Sequence, residues 1–126
     1  MRTLPTIVII VVLLLGGSLA SYRYIETTTQ AMGAQLETVE QSISTQKWEG
    51  TQKKMNTAQQ RWDKTKTWWS VLLDHQEIDN IDISMKRLEK YIEKQDVSLS
   101  LGEVSTLKLI VNHIYDTEKF TLGNIF

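Results

Sequence analysis

The sequence predicts an all-α protein: an N-terminal transmembrane helix followed by a four-helix antiparallel bundle or two stacked helical hairpins. Three observations carry that prediction. Leu4 to Ala20 holds no charged residue, and Ile7 to Leu15 is nine branched aliphatic residues in succession. The 106 residues after Ala20 place their apolar side chains at spacings of three, four and seven, the period of helices with one buried face. The single proline, Pro5, lies ahead of the aliphatic run, so no proline interrupts a helix downstream.

The first element, residues 1–23, reads as a membrane anchor. Seventeen uncharged residues, Leu4 to Ala20, rise about 1.5 Å each and span roughly 25 Å, the short end of what a bilayer requires. Pro5 suits the first turn, where its missing N–H costs nothing. Leu4, Pro5, Ile7, Leu15 and Ala20 mark the span. Ser18 and Ala20 also put small residues at the two positions a signal peptidase reads before Ser21, so cleavage and secretion stay open as the alternative. The α-amino group and Arg2 before the segment, with Arg23 followed by Glu26 after it, favour a cytoplasmic N-terminus and an extracytoplasmic domain.

Residues 24–126 form one domain with four amphipathic segments. Ile25, Met32, Leu36, Val39 and Ile43 define a helix from about Tyr24 to Thr45. After a tight turn near Ser44 to Gly50, Trp48, Met55, Ala58, Trp62, Trp69 and Leu72 define a second, from about Trp48 to Leu73. Asp74 followed three residues later by Glu77 matches a capping box and opens a third, striped by Ile78, Ile81, Met85, Leu88 and Ile92. It ends near Lys94. Ser100 and Glu103 repeat the capping pattern before a fourth, carried by Val104, Leu107, Val111 and Ile114, with Ile110 widening the buried face to about Phe120. Ile125 and Phe126 are expected to dock onto the core. The seven-residue register is read as packing within the chain, and no repeat of twenty to fifty residues is visible.

Composition narrows the function classes. With no cysteine the chain has neither a disulfide nor a lipoprotein anchor, which suits an exported bacterial protein. Leaving out Arg2, 13 basic residues stand against 15 acidic ones, a net charge of −2 for Ser21 to Phe126 that gives no reason to expect nucleic acid. No nucleophile elbow, phosphate loop or zinc-binding helix pair is present, and there are two histidines. A non-enzymatic protein without a cofactor is the expectation.

Four tryptophans crowd the second segment. Trp48, Trp62 and Trp69 share the apolar stripe and are expected in the core; Trp68 stands about 100° away and is a candidate partner contact or membrane-interface residue. Lys47, Lys53, Lys54, Arg61, Lys64 and Lys66 against Glu49 and Asp63 give this helix +4, while Asp74, Glu77, Asp79 and Asp82 give the start of the next −4. Lys53, Lys54, Arg61 and Lys64 are the candidate contact face, for a partner or for anionic lipid or wall polymer. Lys64 and Asp82 are the natural pair for testing whether the charged segments meet. His75 with Asp79 or Asp82 invites a metal, but acids at a helix N-terminus are what the helix dipole favours, so capping and solvation are expected. In the anchor, Gly16 and Ala20, and Gly17 and Ser21, are small residues four apart, a pattern that permits close approach of two copies and is also ordinary near a helix end.

These residues carry a resemblance. The short apolar N-terminus, Trp48, Trp62 and Trp69, the Asp74-His75-Gln76-Glu77-Ile78-Asp79 junction and the closing Asn124-Ile125-Phe126 resemble a small membrane-anchored family of Gram-positive, often endospore-forming bacteria known only as a domain of unknown function. The resemblance implies a helical fold and an envelope or sporulation context, and transfers no activity. The functional expectation is a single-pass membrane protein whose extracytoplasmic domain binds another envelope protein. A ligand or wall-polymer module with a cleft lined by Trp48, Trp62 and Trp68 is the rival.

Overall fold

The computed structural model describes the backbone of residues 2–125 and the side chains of residues 2–120. Among them are four helices, α1 (Thr3–Ser44), α2 (Trp48–Leu72), α3 (His75–Glu93) and α4 (Val97–Ile125), and no strand. Each helix packs against its neighbours in sequence, and α1 also packs against α4, which closes the ring. The domain is therefore a four-helix bundle.

No joint separates the apolar segment from the bundle. The sequence reading placed a boundary at 23/24, but α1 runs through it as one helix of 42 residues, about 63 Å long. The physical reason is local: Ala20-Ser21-Tyr22-Arg23-Tyr24 contains no helix breaker, and Thr28 donates its hydroxyl back to the Tyr24 carbonyl at 2.7 Å without interrupting the ladder. The buried stripe of α1 begins at Ile25 and continues through Thr29, Leu36, Val39 and Ile43. Among the eighteen most apolar consecutive residues, none is buried inside the bundle.

The core joins those residues to Met55, Ala58, Trp62 and Trp69 of α2, Ile78, Ile81, Met85, Leu88 and Ile92 of α3, and Val104, Leu107, Val111 and Ile114 of α4. Trp48, expected inside, is only half-buried and packs on the rim, because it is the first residue of α2 and lies at the end of the bundle. Leu72, also on the predicted stripe, is exposed at the other end.

The two hairpin turns are the same structure. Gln46 and Gln95 both adopt φ of 56°. In the first turn Lys47 N–H reaches the Ser42 carbonyl at 3.1 Å and Gln46 N–H reaches Ile43 at 2.9 Å; in the second Asp96 N–H reaches Tyr91 at 3.0 Å and Gln95 N–H reaches Ile92 at 3.0 Å. These are paired Schellman bonds that satisfy the last helical carbonyls. From Gln46 to Gln95 the offset is 49 residues. At that offset buried residues coincide along both hairpins: Leu36 with Met85, Val39 with Leu88, Ile43 with Ile92, Met55 with Val104, Ala58 with Leu107 and Trp62 with Val111. A repeat invisible in residue identities is thus present in backbone and burial.

The helix caps divide. Asp74 is the N-cap of α3 and accepts from the Gln76 N–H at 3.3 Å, while the return bond expected from the Glu77 side chain does not form among the described residues. The Ser100–Glu103 cap does not form; α4 starts at Val97, and the Asp96 carboxylate accepts from Leu99 N–H at 2.9 Å. Ser100 and Glu103 instead fall on the buried face of α4, each four residues before a member of its apolar stripe, Val104 and Leu107. The expected docking of Ile125 and Phe126 concerns side chains outside the described residues.

Candidate interaction surface on the second helix

The candidate surface is the outward face of α2. Its inner face is set by Thr51, Met55, Ala58, Trp62 and Trp69. The indole of Trp62 donates to Asp82 Oδ1 on α3 at 2.6 Å, and that of Trp69 donates to Thr28 Oγ1 on α1 at 2.9 Å. The two rings meet edge to face, with centroids 5.5 Å apart at 83°. Each buried indole thus has the partner that burial demands. Because Trp62 and Trp69 are sealed, no cleft lined by Trp48, Trp62 and Trp68 exists among the described residues.

Helical geometry then sends Lys53, Lys54, Arg61, Lys64 and Trp68 outward, and all five are exposed. Among the described residues none of the four cations makes an ion pair. Arg61 and Lys64 edge an open groove whose opposite wall is Thr28, Ala31, Met32 and Gln35 of α1. Toward the end of the helix this face changes character. Trp68 is 65% exposed, Val71 78% and Leu72 37%, and together they border Ala20, Ser21 and Tyr24 of α1. The sequence reading singled out Trp68 but passed over Val71, whose exposure follows from its sharing a face with Lys64, seven residues earlier.

The two charged segments do meet, through a different lysine. Lys66, not Lys64, stands 3.4 Å from Asp82, the carboxylate that also receives Trp62. Lys66 lies four residues beyond Trp62 and so shares its side of α2. With Asp82 and Asp74 engaged in this way, His75, Glu77, Asp79 and Asp82 do not gather into a metal-binding group among the described residues.

Two acidic groups that sequence reasoning missed tie the other helices together. Glu103, nearly buried, accepts from the buried Ser84 Oγ and from Nε of the half-exposed Arg87, each at 2.8 Å, and so bridges α3 and α4. The clue was its spacing of four from Leu107. Lys108 of α4 pairs with Glu37 and, at 3.2 Å, with Glu40 of α1; the Glu37 hydrogen bond, supported by Glu40, holds its ammonium protonated above the ordinary lysine range. Nearer the end of α4, Tyr115 stands beside Tyr22 of α1. Glu118 lines one cavity with residues of α1 from Leu13 to Ile25 and with Val71 and Leu72 of α2, and burial pushes its carboxyl above the ordinary glutamate range.

Leu4, Pro5, Ile7, Leu15 and Ala20 of the apolar segment are all exposed. Pro5 lies in the first turn of α1, as its geometry requires. Among the described residues one helix, α1, is therefore long and apolar enough to cross a membrane. No curated protein and no solved structure matches the chain. A family described as a domain of unknown function, DUF4363, matches residues 19–125, from the last turn of the apolar segment to the end of α4, and the chain belongs to that family.

Proposed function

We propose that this is a single-pass membrane protein that presents a non-enzymatic helical module to a protein partner in the bacterial envelope. The observation that carries the reading is α1: an apolar half with no residue buried in the bundle runs without a linker into the bundle core. An uncovered apolar surface of that extent is unfavourable in water and marks a membrane or partner contact. Arg2 ahead of the span and the bundle after it give a cytoplasmic N-terminus and an extracytoplasmic module.

The partner face is the cationic part of α2. Lys53, Lys54, Arg61 and Lys64 form an unneutralised exposed set that complements an acidic surface and steers its approach. A polyanionic wall polymer is the rival occupant of those cations. The resemblance to proteins of Gram-positive spore-formers supports an envelope or sporulation context for that role.

The test is cross-linking of the tagged full-length protein in intact cells, followed by purification from membranes and mass spectrometry. The comparison variant carries Lys53→Glu, Lys54→Glu, Arg61→Glu and Lys64→Glu. The expected result is an envelope protein captured by the wild type and lost from an equally helical variant. Recovery of the chain alone, or with wall polymer, overturns the protein-partner reading. Release of a shortened chain into the medium overturns the anchor.

A further inference from the structure

Along the outer face of α2 the chemistry switches in the direction of the anchor. Lys53, Lys54, Arg61 and Lys64 occupy the part distant from the apolar half of α1, and the last turn and a half presents Trp68, Val71 and Leu72. Two more tryptophans of the same helix, Trp62 and Trp69, are 1% and 0% exposed. The bundle therefore had room to bury large rings, yet Trp68 and Val71 face outward where α2 meets Ala20, Ser21 and Tyr24.

Those α1 residues stand where the uncharged run ends. From Ala20 to Tyr24 a helix rises about 6 Å, and the polar layer on each side of a bilayer is about 5–7 Å thick. Because α1 has no break, the groove between Tyr24 and Val71 cannot swing away from the leaflet that α1 enters. Aromatic side chains with one polar end favour that layer, and Tyr22, Tyr24, Tyr115 and Trp68 are grouped at this end, beside Arg23. From α4, Glu118 lines one cavity with Leu13, Leu14, Val71 and Leu72, and Phe120, 70% exposed, follows two residues later.

The four corners of the bundle are unequal in the same sense. The ends of α2 and α4, which flank α1, expose Val71 and Phe120. The start of α3, diagonally across from α1, exposes Asp74, His75 and Asp79. An apolar edge next to the anchor and an acidic corner away from it suit a bundle tipped toward the membrane about α1.

We propose that the bundle is seated on the bilayer, with phospholipid filling the groove between α1 and the Trp68–Val71–Leu72 edge and Phe120 resting in the same leaflet. This rests on the anchor reading and adds a lipid-binding surface to it. It leaves the cationic part of α2 free for a partner and fixes the height at which that partner is met.

The absence of cysteine makes the test direct. Val12→Cys, Val71→Cys and Leu99→Cys, made singly in the full chain, are labelled with an environment-sensitive fluorophore. They are then reconstituted in vesicles of phosphatidylglycerol and phosphatidylethanolamine, with or without lipids carrying a quencher near the headgroup. The expected result at position 71 is blue-shifted emission, protection from iodide and quenching by the labelled lipid. At position 99, exposed at the far end of α4, emission should be water-like and open to iodide. Iodide access at 71 equal to that at 99, with 12 protected, overturns the seat and leaves the anchor standing. Protection at 71 without lipid quenching overturns it in favour of a second copy covering the groove. Iodide access at both 12 and 71 removes the anchor itself.

Discussion

The first hairpin, α1–α2, and the second, α3–α4, close on the same turn and bury equivalent positions at an offset of 49 residues, yet they fill those positions differently. Where the first has Ala58 and Trp62, the second has Leu107 and Val111. Where the second turns Glu103 inward to Ser84 and Arg87, the first turns Lys54 out to solvent. Their neighbours explain this: the counterparts of Ser84 and Arg87 on α1 are Gln35 and Thr38, which offer no comparable charged partner. The turn sets which positions point inward, and any set of side chains that fills the volume and satisfies its polar atoms is then acceptable. The first hairpin is thereby free to carry exposed cations and an anchor, while the second supplies a polar clasp.

The most severe way to break the comparison is Trp62→Ala. It should cost about 3–5 kcal/mol in thermal or denaturant unfolding, the range for a fully buried ring, and it also strips Asp82 of its indole partner. The equivalent Val111→Ala removes far less volume and should cost visibly less; equal losses would mean that the hairpins do not share the load as the burial pattern indicates.

Next in size, Glu103→Ala should cost about 2–3 kcal/mol, because it removes a charged acceptor from Ser84 and Arg87. Lys54→Ala, at the same position of the first hairpin, should stay within about 0.5 kcal/mol, as exposed substitutions do. Comparable effects of the two in urea unfolding would contradict the inward and outward assignment.

Replacing either turn glutamine sharpens the equivalence of the hairpins. A left-handed residue with a side chain carries about 1 kcal/mol of strain that glycine relieves, partly offset by glycine's greater freedom when unfolded. Gln46→Gly and Gln95→Gly should each stabilise by about 0.5 kcal/mol, and by similar amounts. A gain at one turn with a loss at the other would show that the shared bonds do not make the turns energetically alike.

The smallest effect belongs to Glu118, at the end where the hairpins meet the apolar segment. Since burial raises its carboxyl pKa in the folded protein, the folded state holds the proton more tightly than the unfolded chain. Stability should therefore rise as pH falls through the folded value and level off below the unfolded one. Glu118→Gln should flatten that rise and change stability at neutral pH by no more than about 0.5 kcal/mol. An unchanged pH profile in the variant would assign the rise to other groups.

Much of this was legible beforehand because helical periodicity is a property of neighbours in the chain. The stripe residues of α3, and Val104, Leu107, Val111 and Ile114 of α4, are buried, Ile110 only partly so, and Asp74 caps α3. Trp48 was placed too deep because a stripe defines a face and says nothing about distance from the end of the bundle. The false cap at Ser100 and Glu103 arose because a capping pattern and a buried polar pair can share one spacing; Ser84 and Arg87, on another helix, decided between them. Likewise Lys64 and Lys66 are equally plausible partners for Asp82 until α3 is laid beside α2.

Sequence alone determined the apolar segment, the four helices, the face each one buries and the location of the cations on α2, since all of these depend on residue type and a spacing of less than two turns. Only the tertiary structure decided that the two hairpins repeat, that Glu103 points inward, and that Trp68 and Val71 lie beside the end of the uncharged run. Each of those depends on groups separated by tens of residues, whose meeting is set by how four helices close into one ring. No local pattern encodes that distance.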